Sequence, residues 1–188
     1  MIKPVTALFI VTMIVFSLSQ TACVKSMSPD QLKASMEITD LETKWVSKFY
    51  QPWPPRLILV PVLLFRIRNV SDRPLTYVNF NVVFRFKADN ENFGDCFLAA
   101  IRGTPVEPGE KSDVITLKSN FGVDARNVNS FKDNPRWRIA VAKVFTTSRG
   151  SQPVLLGEYQ ISQKIDFKEP EAVHMGEKPG AIKEKEKK

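Results

Sequence analysis

Leu75-Thr76-Tyr77-Val78-Asn79-Phe80-Asn81-Val82-Val83-Phe84-Arg85-Phe86-Lys87 is the stretch that decides the fold. Successive side chains alternate across an extended chain, so Val78, Phe80, Val82, Phe84 and Phe86 share one side. Tyr77, Asn79, Asn81, Arg85 and Lys87 share the other. A large apolar face backed by a polar one describes a half-buried strand of an antiparallel sheet.

Reading outward on the amino-terminal side, Asn69-Val70-Ser71-Asp72-Arg73-Pro74 is turn chemistry. Before it, residues 57–68 are apolar at every odd position (Leu57, Leu59, Pro61, Leu63, Phe65, Ile67) and at Ile58, Val60, Val62 and Leu64, which predicts a strand whose first half is covered on both faces. A first strand is expected over 36–45. On the other side, residues 89–92 turn the chain into a strand at 96–101. Further strands are read at 113–118, at 137–145 with Trp137, Ile139, Val141 and Phe145 inward, and at 155–165. Residues 120–135 lack alternation and read as a crossing loop with at most one helical turn. About seven short strands at this spacing predict an all-β, antiparallel β-sandwich over residues 35–167. Its core is expected to contain Phe65, Ile67, Val78, Phe80, Val82, Phe84, Ile139 and Val141.

The run Phe65-Arg66-Ile67-Arg68-Asn69-Val70-Ser71-Asp72-Arg73-Pro74-Leu75, the alternating strand after it, and Val106-Glu107-Pro108-Gly109-Glu110 together resemble the FxLYD-type immunoglobulin-like domains of bacterial envelope proteins. In those domains an Asn-x-Ser turn leads into one strand and a Pro-Gly-Glu turn precedes another. This chain departs in having Asp89 to Gly94 where Asp-x-x-Gly is usual, and in its longer 120–135 connection. The resemblance implies an immunoglobulin-like fold with an accessory or adhesive role, and no reaction.

The amino terminus reads as an address. Lys3 precedes an apolar run at 5–18, and Gln20-Thr21-Ala22-Cys23 closes it, the order of a secretory signal peptide over residues 1–22. A cysteine after a small residue at that point resembles the lipobox of bacterial lipoproteins, which implies an acylated Cys23. Gln20 stands where lipoboxes usually carry leucine. Simple cleavage after Ala22 is one alternative. An uncleaved anchor is the other, although the run is shorter than the roughly 20 residues a span requires. Residues 23–34 then read as a polar tether. Val24 rather than aspartate after the cysteine points to the periplasmic face of the outer membrane in preference to the inner membrane. Residues 168–188, with six lysines against five glutamates, read as a disordered tail.

Of 27 basic and 20 acidic residues, 20 and 15 lie between Val24 and Phe167, so the body carries about +5. That excess suits an acidic partner or anionic headgroups. No basic cluster with motif aromatics speaks for nucleic acid. The single histidine, His174, lies in the tail, which removes Ser-His-Asp, Cys-His and histidine-zinc arrangements from the body. No cofactor is implied, and an enzyme is not expected. Cys96, in an apolar stretch, reads as a buried, inert thiol. Asp89, Glu91 and Asp95 read as a polar turn, with a calcium site as the alternative.

Trp45-Val46-Ser47-Lys48-Phe49-Tyr50-Gln51-Pro52-Trp53-Pro54-Pro55-Arg56 is too proline-rich for a central strand. Trp45, Phe49, Tyr50, Trp53 and Arg56 are therefore candidates for a contact surface, joined by Arg136 and Arg138 if these face out opposite Trp137. The alternative is that Trp45 and Phe49 pack into the sandwich end. The expected function is a non-catalytic, membrane-anchored envelope lipoprotein that binds another envelope protein through a strand edge or this segment. The alternative is an accessory lipoprotein of an envelope lipid or solute transport system, which an apolar cavity would favour.

Overall fold

The computed structural model describes residues 27–170. The expected signal peptide, Cys23, and residues 171–188 of the expected tail, with His174, lie outside them. A helix α1 (Pro29–Ala34) precedes β1 (Met36–Gln51), β2 (Arg56–Asn69), β3 (Leu75–Phe86), β4 (Asn92–Val106), β5 (Ile115–Lys118), β6 (Val123–Ala125), β7 (Ala140–Thr147), β8 (Val154–Gln160) and β9 (Ile165–Asp166), with a 3-10 turn at Asn129–Phe131.

The strands form two sheets. One has the order β5-β2-β1-β9, with β6 also paired to β2, and the other β4-β3-β7-β8. All pairings are antiparallel except β1 with β9. This is the expected immunoglobulin-like sandwich, with nine strands among the described residues where seven were read. The fourth strand stays beside β3, and among the described residues no strand continues the first sheet beyond β5.

The inward residues of β2 and β3 fill the space between the sheets. Leu57, Leu59, Leu63, Phe65, Ile67, Val78, Phe80, Val82 and Phe84 are all buried. Phe65 meets Phe80 edge to face, with ring centroids 5.3 Å apart, an arrangement that adds to their burial. Val60 and Val62, on the outward side of β2, are also buried, as the doubly apolar first half predicted.

Three expectations are corrected. The strand at 137–145 has its faces reversed: Ala140, Ala142, Val144 and Thr146 are buried, while Ile139 is exposed and Val141 only half-buried. Trp137 still points inward, because the Arg138 N–H donates to the Arg136 carbonyl (3.0 Å) in a tight turn that resets the alternation before β7. Phe84 pairs with Ala142 on the packed face, where small side chains leave room for the phenyl ring.

The tether is shorter than expected, since α1 belongs to the domain. Ser28 Oγ accepts from the Gln31 N–H and Gln31 Oε1 accepts from the Ser28 N–H, a capping box with Pro29 at the first helical position. Leu32 is fully buried, which holds the helix against β1, β7 and β8. The third correction concerns β1, which continues to Gln51; only residues 52–55 form the turn.

Candidate contact surfaces

Within the β1–β2 hairpin, Tyr50 pairs with Leu57 and Gln51 with Arg56. Trp45 is 1% exposed. It stacks on Phe93 at 6.2 Å and meets Trp137 at 4.5 Å, so it is a core residue and leaves the contact surface. Tyr50 also packs inward, against Phe167 at 5.3 Å. Trp53 is the opposite case, 84% exposed at the hairpin tip. Phe49 is exposed as well, with the Arg56 guanidinium 5.8 Å from its ring centre. Arg56 is held by Asp124 of β6 at 2.8 Å.

The register of β1 shifts between Ser47 and Phe49, a bulge that places Lys48 out of the ladder. Its ammonium donates to the Asn120 carbonyl and lies 5.8 Å from the Phe121 ring centre. Phe121 is 65% exposed. Gly122 makes this possible: a Cβ there would fall 2.0 Å from the Leu59 carbonyl oxygen, so only glycine lets the chain cross β2 so closely. Lys118 Nζ donates to the Ser47 carbonyl at 3.5 Å. Among the described residues neither Lys48 nor Lys118 meets a carboxylate. Sequence reading missed Phe121 because it stands alone in a loop without periodicity.

Arg136 and Arg138 part company. Arg136 is exposed, and its loop touches β6 through Asn134 Nδ2, which donates to the Asp124 carbonyl (2.9 Å) beside Arg56. Arg138 pairs with Asp89 and with Glu91 (3.1 Å) and lies 4.1 Å over the Phe86 ring. It neutralises the β3–β4 turn and does not join the aromatic surface. The same guanidinium stands where the calcium alternative would need a cation, and Asp95 is bonded to Asn120 instead. Asp89 is held below the usual carboxylate range, first by the Glu91 N–H and then by Arg138.

A second surface is the outer edge of β4. The Asp95 carbonyl accepts from the Asn120 N–H (3.1 Å) and the Asp95 N–H donates to Asn120 Oδ1 (2.9 Å), which shows the side facing away from β3. The alternation of the ladder puts the N–H and C=O of Phe97 and Ala99 on that side, without a backbone partner among the described residues. Phe97 is 68% exposed and forms one cross-strand row with Asn81, Phe145 and Leu155. Between this edge and the segment entering β5 runs a groove of about 400 Å³ lined by Leu98, Ala100, Val106, Val114 and Ile115. Cys96 sits on the same strand, half-buried and packed on the core.

No protein-family model matches the chain, and no curated protein does. Among solved structures, it is similar to the ApaA protein from Bordetella pertussis at 12% identity, covering 68% of this chain and 93% of that one with a TM-score of 0.39. A Northeast Structural Genomics Consortium target is similar at 10% identity, 78% and 96% coverage and a TM-score of 0.42. A Pseudomonas fluorescens alkylpurine DNA glycosylase bound to DNA with an abasic-site analogue is similar over 69% of this chain but only 30% of its own, at 11% identity and a TM-score of 0.34. Likeness at this level bears on neither activity nor partner.

Proposed function

We propose that this chain is a non-catalytic, membrane-anchored envelope lipoprotein whose sandwich binds another envelope protein. The β4 edge at Phe97 and Ala99 carries this reading: it lies on a 15-residue strand at the border of the second sheet, with backbone groups that have no backbone partner among the described residues and an exposed phenylalanine. An added strand takes its affinity from such backbone groups and its selectivity from side chains entering the neighbouring groove. The aromatic filling of the sandwich supports protein binding over a lipid-carrying chamber. Acylation of Cys23 supplies the membrane attachment, each buried methylene contributing about 0.8 kcal/mol.

Two measurements test the reading. Mass spectrometry of the mature amino-terminal peptide should show acyl chains on Cys23, and Cys23→Ser should release the domain or stall processing. A photo-crosslinking residue at position 97 in intact cells should capture one envelope protein, and Phe97→Lys should abolish capture while leaving the melting temperature unchanged. A folded Phe97→Lys protein with an unaltered crosslink would exclude the β4 edge.

A further inference from the structure

We infer that the β1–β2 hairpin is a second membrane contact, an interfacial tip that inserts aromatics among anionic headgroups and lays the sandwich along the bilayer. Trp53 projects from a turn stiffened by Pro52, Pro54 and Pro55, Phe49 is exposed on the adjoining part of β1, and Phe121 is exposed in the β5–β6 loop beside Lys48. Tryptophan and phenylalanine on a projection, with no partner ring among the described residues, match the bilayer interface, where an indole keeps its N–H in the wet layer while its rings leave water. The charges agree with this. Lys48 and Lys118 lie beside Phe121 and Ser47, each donating to a backbone carbonyl and neither neutralised by a carboxylate among the described residues. Lysine stems lie well along apolar surface with the ammonium toward phosphate. Arg56 contributes less, because Asp124 already holds it.

The dimensions of the domain then set its attitude; this part rests on the proposed acylation of Cys23. Residue 27 is four residues from Cys23, a reach of no more than about 14 Å. The hairpin tip lies beyond the far end of β1, whose 16 residues span about 50 Å. Anchor and tip meet one bilayer only when β1 lies along it, and the exposed Phe49 then selects the outer face of the first sheet as the side laid down. The second sheet, with the Phe97 row, then faces away from the membrane.

The test uses residues 23–188 with Cys23→Ser, so that no acyl chain supplies affinity; this chain keeps α1 and both sheets. The probes are phosphatidylethanolamine vesicles containing phosphatidylglycerol and, for contrast, phosphatidylcholine vesicles. Trp45 is buried and Trp137 is packed on it, so Trp53 is the reporter. Phosphatidylglycerol vesicles should shift its emission to the blue and sediment the protein, less so at high salt. Trp53→Ala with Phe121→Ala should abolish sedimentation at an unchanged melting temperature. Lys48→Gln with Lys118→Gln should weaken it about 25-fold, from about 1 kcal/mol, or fivefold, per cation near an anionic surface. A folded chain with no emission shift, equal sedimentation by both double variants, or equal binding to phosphatidylcholine would each overturn the inference. None of these outcomes touches the Cys23 reading, which fails separately if that residue is unmodified in cells.

Discussion

Asn69 shows how one buried polar side chain joins two turns that are far apart in sequence. Its Nδ2 donates to the carbonyls of Arg73 (2.7 Å) and Val106 (2.8 Å), and its Oδ1 accepts from the Ser71 N–H and hydroxyl. Its backbone meets the second turn, through its N–H to the Glu110 carbonyl and its carbonyl from the Gly109 N–H. Gly109 has φ +82, which favours glycine there. Asn69→Ala strands several buried partners and should cost about 3 kcal/mol, read as a lower urea midpoint at constant slope. Acid should expose a different residue. Asp89 is depressed in the folded state, so its contribution is present above the unfolded carboxylate value and is lost as pH falls through the lower folded one. Glu158 behaves alike, held down first by Lys143 and also by Arg85. Melting temperature should therefore drop below about pH 4, and Arg138→Gln should make that drop shallower.

At the scale of elements, β7 shows what periodicity leaves open. Both of its faces carry apolar residues, and a period of two identifies two sides without saying which is inside. The neighbour decides, because Phe84 needs Ala142 opposite it. Ala142→Leu should cost about 1–3 kcal/mol through overpacking, whereas Ile139→Ser should stay within about 0.5 kcal/mol; equal effects would mean that the inward phase is misassigned. The crossing before β6 depends on Gly122 in the same way. Gly122→Ala should lower stability by about 1–3 kcal/mol, and proteolysis near Phe121 should reveal the displaced segment. By contrast, α1 was read as tether although Ser28-Pro29-Asp30-Gln31 is a capping signature, because only Leu32 and Ala34 follow it as apolar residues and they are too few to show a helical period.

For the whole molecule, the question is where the domain stops. Phe167 rests on Tyr50 and Glu169 Oε1 accepts from the Val128 N–H at 2.6 Å, so the sandwich extends to the first residues of the expected tail. Ending the chain at Pro170 should leave the melting temperature within a degree or two. Ending it at Asp166 uncovers Tyr50 and should cost about 1–2 kcal/mol, a fall of a few degrees in a calorimetric scan.

The sequence by itself determined the sandwich, its turns and most of its core, because alternation and turn chemistry are local properties of β2 and β3. Phe65, Ile67, Val78, Phe80, Val82 and Phe84 were legible for that reason. It also singled out Trp53, which prolines hold at a hairpin tip. Tertiary structure alone decided that Trp45 is buried under Trp137 and Phe93, that Arg138 is spent on Asp89 and Glu91, and that Phe121 stands beside Lys48. Each of these depends on partners 47 to 92 residues away, brought together by sheet pairing. The free edge of β4 is likewise a property of strand order, which no single strand encodes.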